Sequence, residues 1–189
     1  MQRQLGDIVK GLEQAQARLE KLAEAIPDAA WEERTEPDRW SVAECVDHLN
    51  LTSEAYIPRI RVAIAEARAM NTKKSTRYKR DLPGRLLAMM IGPLPMLGKM
   101  RLGRVKTTPD FVPKGSHPKQ ATLAAFKRDQ GELIALIREA DGLPIDKVKI
   151  KSPFGNISYN CYSAFVILPR HQARHLDQGQ LVWGTTLHR

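Results

Sequence analysis

Residues 168–182 read LPRHQARHLDQGQLV, and two of the five histidines in the chain stand four apart there. On a helix, His171 and His175 would share one face about one turn apart, so that both imidazoles can turn toward a single ion. A third histidine, His48, lies in the stretch SVAECVDHLN. Three histidines leave coordination positions open for water or substrate, which is the arrangement of a catalytic metal and not of a structural one. Neutral imidazole suits zinc, nickel, copper or iron. The pair alone is a weak signal, because it also describes two histidines on a partly wet helix face. What decides is whether the elements carrying these residues turn them inward together.

Residues 5–26 give the plainest helix. Leu5, Ile8, Leu12, Ala15, Leu19, Leu22 and Ile26 recur at alternating steps of three and four, the seam of a bundle helix, and Pro27 ends it. Ser41 and Glu44 form a capping box that opens a second helix, expected to run to about Ala69 with a kink at Pro58. Trp40 and Cys45 stand where a hydrophobic staple would close. A third helix spans 119–140 on the line Leu123, Phe126, Gln130, Leu133, Ile137 and Ala140, and Gly142 can stop it. Residues 145–156 look extended with a turn at Pro153–Asn156; Ser158 is then read as the cap of a fourth helix over 159–183, bent at Pro169 and ended by Gly184.

The same stepping on the fourth helix picks out Cys161, Ala164, Leu168, His171, His175, Gln178 and Val182. On the second it picks out Cys45, His48, Thr52 and Ala55. All three histidines therefore fall on inward lines of two helices, with an apolar first helix behind them. A buried imidazole needs a partner for each nitrogen, which favours a ligand set over three unrelated core histidines. The expected fold is all-α: a single four-helix-bundle domain over 1–189, with a long basic and apolar insertion, 71–118, between the second and third helices.

The motifs DRWSVAECVDHL and FGNISYNCYSAFVILPRHQARHLDQGQL, with helices between them, resemble the DinB-like superfamily of metal-binding four-helix bundles. The family pattern is W-S-x-x-x-x-x-x-H-L, then a glycine and a helix bearing H-x-x-x-H-x-x-Q. Trp40, Ser41, His48, Leu49, Gly155, His171, His175 and Gln178 match it. The resemblance implies His48, His171 and His175 as ligands of a divalent transition metal, zinc first, with nickel or iron as alternatives. It also implies a thiol cofactor, since relatives include transferases and isomerases using bacillithiol, mycothiol or glutathione.

Other residues are read more plainly. Glu44 belongs to the capping box and not to catalysis. Cys45 and Cys161 border the histidine lines, and core packing is preferred for both. Gln178, Thr52 and Gln130 are candidates for contact with the metal shell or substrate; for Gln178 a surface position remains open. His117 is read as starting the third helix, and Asp177 as a solvated carboxylate. No acid is placed as a general base.

The formal charge of +9 belongs to one segment: residues 73–106 hold ten Lys and Arg against Asp81 alone. Within it, RLLAMMIGPLPMLGKM is too short and too broken by proline to span a bilayer. It can lid the site, meet a second copy in a homodimer, or rest on an anionic membrane surface. Nucleic-acid binding is disfavoured, since Tyr78 is the one aromatic residue in the segment and no recognition motif is present. Two cysteines give no disulfide framework, and MQRQLGDIVKGLEQ lacks the apolar core of a signal peptide, so a cytoplasmic setting is expected. The leading expectation is an enzyme that activates a thiol or water for attack on a small, anionic electrophile. The alternative is a non-catalytic ligand-binding or membrane-surface bundle.

Overall fold

A computed structural model of the chain describes residues 1–70, 72–92, 96–97, 100–101 and 107–186. In chain order its elements are α1 (Arg3–Ala25), α2 (Asp28–Trp31), α3 (Val42–Ala69), α4 (Leu82–Ile91), β1 (Met96–Leu97), β2 (Met100–Arg101), a 3-10 turn at Pro109–Phe111, α5 (Lys119–Glu139), β3 (Lys149–Lys151), β4 (Ser158–Asn160) and α6 (Cys161–Thr186). The long helices α1, α3, α5 and α6 form the bundle.

Local chemistry sets their ends. Every seam residue of α1 from Leu5 to Leu22 is buried, and Pro27 follows the helix. At the start of α3 the Glu44 N–H donates to Ser41 Oγ at 3.1 Å and the Ser41 N–H donates back to Glu44 Oε2 at 2.8 Å. Arg34 donates to the same carboxylate, so Glu44 ties the connection after α2 to the helix start. Ser158 does not cap the last helix. It belongs to β4, and Asn160 Oδ1 accepts the Ser163 N–H at 2.9 Å. Gly184 does not end that helix either; α6 continues to Thr186.

The helix directions follow from cross-links. Gln4 donates to the Tyr162 hydroxyl and Arg18 pairs with Asp177 at 2.7 Å, so α1 and α6 run parallel. Arg61–Glu132 and Arg68–Glu139, each at 2.7 Å, make α3 and α5 parallel as well. The first half of α1, Leu5–Leu12, packs with the second halves of α3 and α5, Tyr56–Ala67 and Leu133–Ala140, while Ala15–Ile26 packs with Val42–Leu49 and Phe126, so the two pairs oppose each other. The order is therefore up, down, down, up. A 28-residue α3 is about 42 Å long at the usual helical rise. The chain must travel that distance back before α5 can start. Segment 70–118 is that return crossover, and its length is a requirement of the topology as much as an insertion.

Part of the crossover is a helix that periodicity did not reveal. Asp81 caps α4 by accepting the Gly84 N–H, with Pro83 in the first turn. The helix lies along α6, where a Cβ on Gly84 would stand 2.2 Å from Ser163 Cβ. The basic residues Lys99, Arg104 and Lys106, and Leu94 and Pro95 of the apolar run, lie outside the described residues, so the lid expected of that run lies there too.

The core is in two parts. One apolar cluster holds Leu5–Leu12, Tyr56–Ala67, Leu133–Ala140 and Cys161–Leu168; the other holds Ala15–Ile26, Val42–Leu49, Phe126, Leu176 and Val182. Between them lies a layer of buried polar side chains: Thr52, Gln130, His171, Gln172 and His175, with His48 at its edge.

Gly84→Ala should overpack the α4–α6 contact and cost about 2 kcal/mol of stability, read as a lower urea midpoint with an unchanged slope. A midpoint equal to that of the parent protein would show that α4 is not held by this close approach.

Candidate metal centre

The polar layer brings together the three histidines from α3 and α6. One ring nitrogen from each of His48, His171 and His175 lies within 4.8 Å of the others. Ring centroids are 5.1 Å apart for His48–His171, 4.4 Å for His48–His175 and 4.6 Å for His171–His175. All three residues are buried.

Hydrogen bonding fixes part of the protonation. His48 Nδ1 sits 2.7 Å from the Phe111 carbonyl oxygen, which can only accept. Nδ1 therefore carries the proton and Nε2 keeps a lone pair. That lone pair faces His171 Nε2 at 3.3 Å. Two nitrogens each about 2.05 Å from a tetrahedral ion are themselves about 3.3 Å apart. His175 Nδ1 is buried with no hydrogen-bond partner among the described residues, an arrangement that costs free energy unless something else satisfies it. Three neutral imidazoles with a facing lone pair and an orphaned nitrogen fit a divalent transition ion.

The electrostatics agree. Burial lowers the His48 imidazole to about 4, against the hydrogen bond to Phe111, which raises it. Burial also holds His171 and His175 well below the ordinary histidine range, and the neighbouring rings push the same way. Arg174 is the outside charge that acts on all three, and it too disfavours protonation. No carboxylate among the described residues acts on these rings, so an ion bound here would leave the site strongly positive.

Aromatic rings close the site. Trp40 lies 5.0 Å from His48 and stacks on His175 at 6.0 Å. Phe154 lies 5.8 Å from His171 and 4.6 Å from Phe111. Trp40 and Phe154 are half-buried, so they rim the side that meets solvent. Sequence periodicity missed Phe111, Phe154 and Arg174 as neighbours of the site, because the two phenylalanines come from connections, which have no period to read. In the sequence Trp40 stands in a cap and in the family pattern, and neither marks it as a ring over the histidines.

The remaining candidates fall in different places. Gln178 is half-buried and lies close enough to the His175 ring to raise that imidazole against the other influences on it. Thr52 is one turn from His48 and donates its hydroxyl to the His48 carbonyl at 2.8 Å, a bond within the helix. Gln130 donates to the Leu12 carbonyl and exchanges amide bonds with Gln172 at 3.0 and 2.7 Å, so both its ends are engaged in the core. His117 contributes no ring to the cluster. Its Nδ1 is 3.4 Å from Asp47, its N–H donates to Glu32, and its carbonyl accepts from Trp31, which anchors the start of α5. Cys45 and Cys161 are buried, and burial pushes the Cys161 thiol up to about 12, away from thiolate chemistry.

Comparison with known proteins agrees with this picture. The sequence profile of the DinB superfamily matches residues 11–178. Among solved structures the chain is similar to YfiT from Bacillus subtilis, described as a probable metal-dependent hydrolase with an unusual four-helix bundle topology. The TM-score is 0.63 at 13% identity, over 98% of this chain and 89% of that one. At that identity the likeness shows the fold. No curated protein sequence matches.

The histidines give a pH signature. Folded, the His48 imidazole loses its proton near 4; unfolded, near 6.5. The unfolded chain thus binds more protons between these values, and stability, full above 6.5, falls as pH drops toward 4. The loss from His48 is on the order of 3 kcal/mol, and His171 and His175 add in the same direction. Urea unfolding of chelator-treated protein at pH 7 and pH 5 should show lower stability at pH 5. Equal stabilities would mean that the rings are not buried in neutral form.

Proposed function

The chain belongs to the DinB superfamily, and from that premise we propose that it is a metal-dependent enzyme. His48, His171 and His175 would hold one divalent transition ion, with zinc as the first expectation. The substrate would be a small anionic electrophile, attacked by water or by a low-molecular-weight thiol. The observation that carries this reading is the convergence of three buried, neutral imidazoles with an unsatisfied nitrogen among them.

An ion of this kind lowers the pKa of a bound water or thiol and so supplies the nucleophile. The residues of the chain do the rest. The imidazoles come from two helices, one on α3 and two on α6, which leaves the remaining approach open to ligand. The Phe111 carbonyl holds the His48 ring in one tautomer. Trp40, Phe111 and Phe154 exclude bulk water and strengthen every electrostatic interaction inside. Arg174 acts on all three rings, and its positive charge favours an anionic ligand. Among the described residues no carboxylate acts on the rings, so the proton of the nucleophile would leave by way of solvent or substrate. The likeness to a probable metal-dependent hydrolase supports the water route, and the family resemblance supports the thiol route.

Protein purified without added metal should carry about one divalent ion per chain by elemental analysis. The triple replacement His48→Ala, His171→Ala and His175→Ala should carry none while keeping its helical circular dichroism. Turnover of acidic activated esters and epoxides, assayed with and without glutathione or bacillithiol, separates hydrolysis from thiol transfer. Turnover undiminished in the triple variant would defeat the proposal.

A further inference from the structure

Helix α4 shows solvent a face that its own packing does not need. Gly84 and Ala88 press on α6, and the Ala88 and Met90 carbonyls accept from Arg170 and Arg174. On the other side Leu82, Leu86, Met89 and Met90 are 69%, 53%, 70% and 56% exposed. Positions 82, 86, 89 and 90 fall at helical spacing, so the four make one apolar stripe. Isolated apolar residues on a surface mean little, but a contiguous stripe of large ones marks an interaction site.

The exposed charge of the run before the stripe is basic. Lys73, Lys74, Arg77, Lys79 and Arg80 immediately precede α4 and are exposed, and Arg85 lies within it. The acid of that run is turned inward. The Asp81 carboxylate takes the N–H groups of Gly84 and Asn160 and the Ser163 hydroxyl. The Lys79 N–H donates to Asp146, which brings the loop bearing exposed Lys147 to the same end of the bundle.

We propose that α4 and the basic run before it form a docking surface for an anionic lipid bilayer. The leucines and methionines would enter the boundary between headgroups and acyl chains, while the lysines and arginines lie among the phosphates. Attachment is peripheral, since no described helix is long and apolar enough to cross a membrane. Charge selects this partner over a second copy of the chain, because two such surfaces meeting about a two-fold axis would set their basic runs against each other. The apolar stripe selects it over nucleic acid. Nucleic-acid surfaces are polar and hydrogen-bonding, and the one aromatic ring of the basic run, Tyr78, is buried and so cannot stack on a base. The proposal stands apart from the metal site and does not depend on any activity.

The test is flotation of the intact protein with phosphatidylglycerol–phosphatidylcholine vesicles and with pure phosphatidylcholine vesicles at low salt. The protein should float with the anionic vesicles alone and be released by high salt. Leu86→Ser with Met89→Ser should lower the partition coefficient by about tenfold or more, and so should Lys79→Glu with Arg80→Glu. Unchanged circular dichroism in both variants shows that neither has unfolded. Failure to float with anionic vesicles overturns the proposal. So does flotation that neither pair alters. Sedimentation showing a dimer that Leu86→Ser with Met89→Ser dissociates would assign the stripe to a second copy instead, and tighter binding to duplex DNA than to anionic vesicles at the same salt would assign the charge to nucleic acid.

Discussion

Three imidazoles share one buried level of a helical bundle, and each must stay uncharged to be there. Burying a charged ring without a counter-charge is expensive, and no carboxylate among the described residues acts on these rings. Neutral rings bring a second demand, because each has one nitrogen that donates and one that accepts. The described residues meet that demand only in part: the Phe111 carbonyl accepts the hydrogen bond of His48 Nδ1–H, Gln178 reaches His175, and His175 Nδ1 is left over. The neighbouring glutamines show the contrast. Gln130 and Gln172 occupy the same layer and satisfy each other reciprocally. One part of the polar layer is complete in itself, and the other is complete only with a cation.

The topology follows from placing that layer in mid-bundle. Apolar clusters seal it on both sides along the helix axes, so access comes from the side, where Trp40 and Phe154 are half-buried. The rings that rim it arrive on connections. Phe111 comes from the return crossover between parallel α3 and α5, and Phe154 from the hairpin joining α5 to α6. Connections that only had to join helix ends would leave the histidines exposed to water. The up, down, down, up order forces long connections, and these carry the residues that close the site.

Much of this is legible in residue spacing. Steps of three and four located four bundle helices, and the same steps turned His48, His171 and His175 inward. Spacing gives the direction in which a side chain points and not the level at which it sits. Thr52 and Gln130 therefore looked equivalent to Gln178, yet Thr52 bonds within its own helix and Gln130 faces Leu12 and Gln172. Helix α6 is buried over most of its surface from Cys161 to Leu168, so Gln172, one residue after His171, was equally interior and went unread. The start of α4 was written in Asp81 and Pro83, a capping residue and a first-turn proline, but a ten-residue helix with exposed leucines has no inward period to find. The confusion of Ser158 with Asn160 is of the same kind, since both residue types cap helices and only the strand register of β4 separates them.

The claim on which the account turns is that three histidine nitrogens, and no sulfur, surround one ion. X-ray absorption spectroscopy of the metal-bearing protein measures this directly. The account predicts a first shell of nitrogen and oxygen alone, with outer-shell scattering from about three imidazoles that diminishes in His48→Ala. A sulfur scatterer from Cys45 or Cys161, or imidazole scattering unchanged by loss of His48, would contradict it.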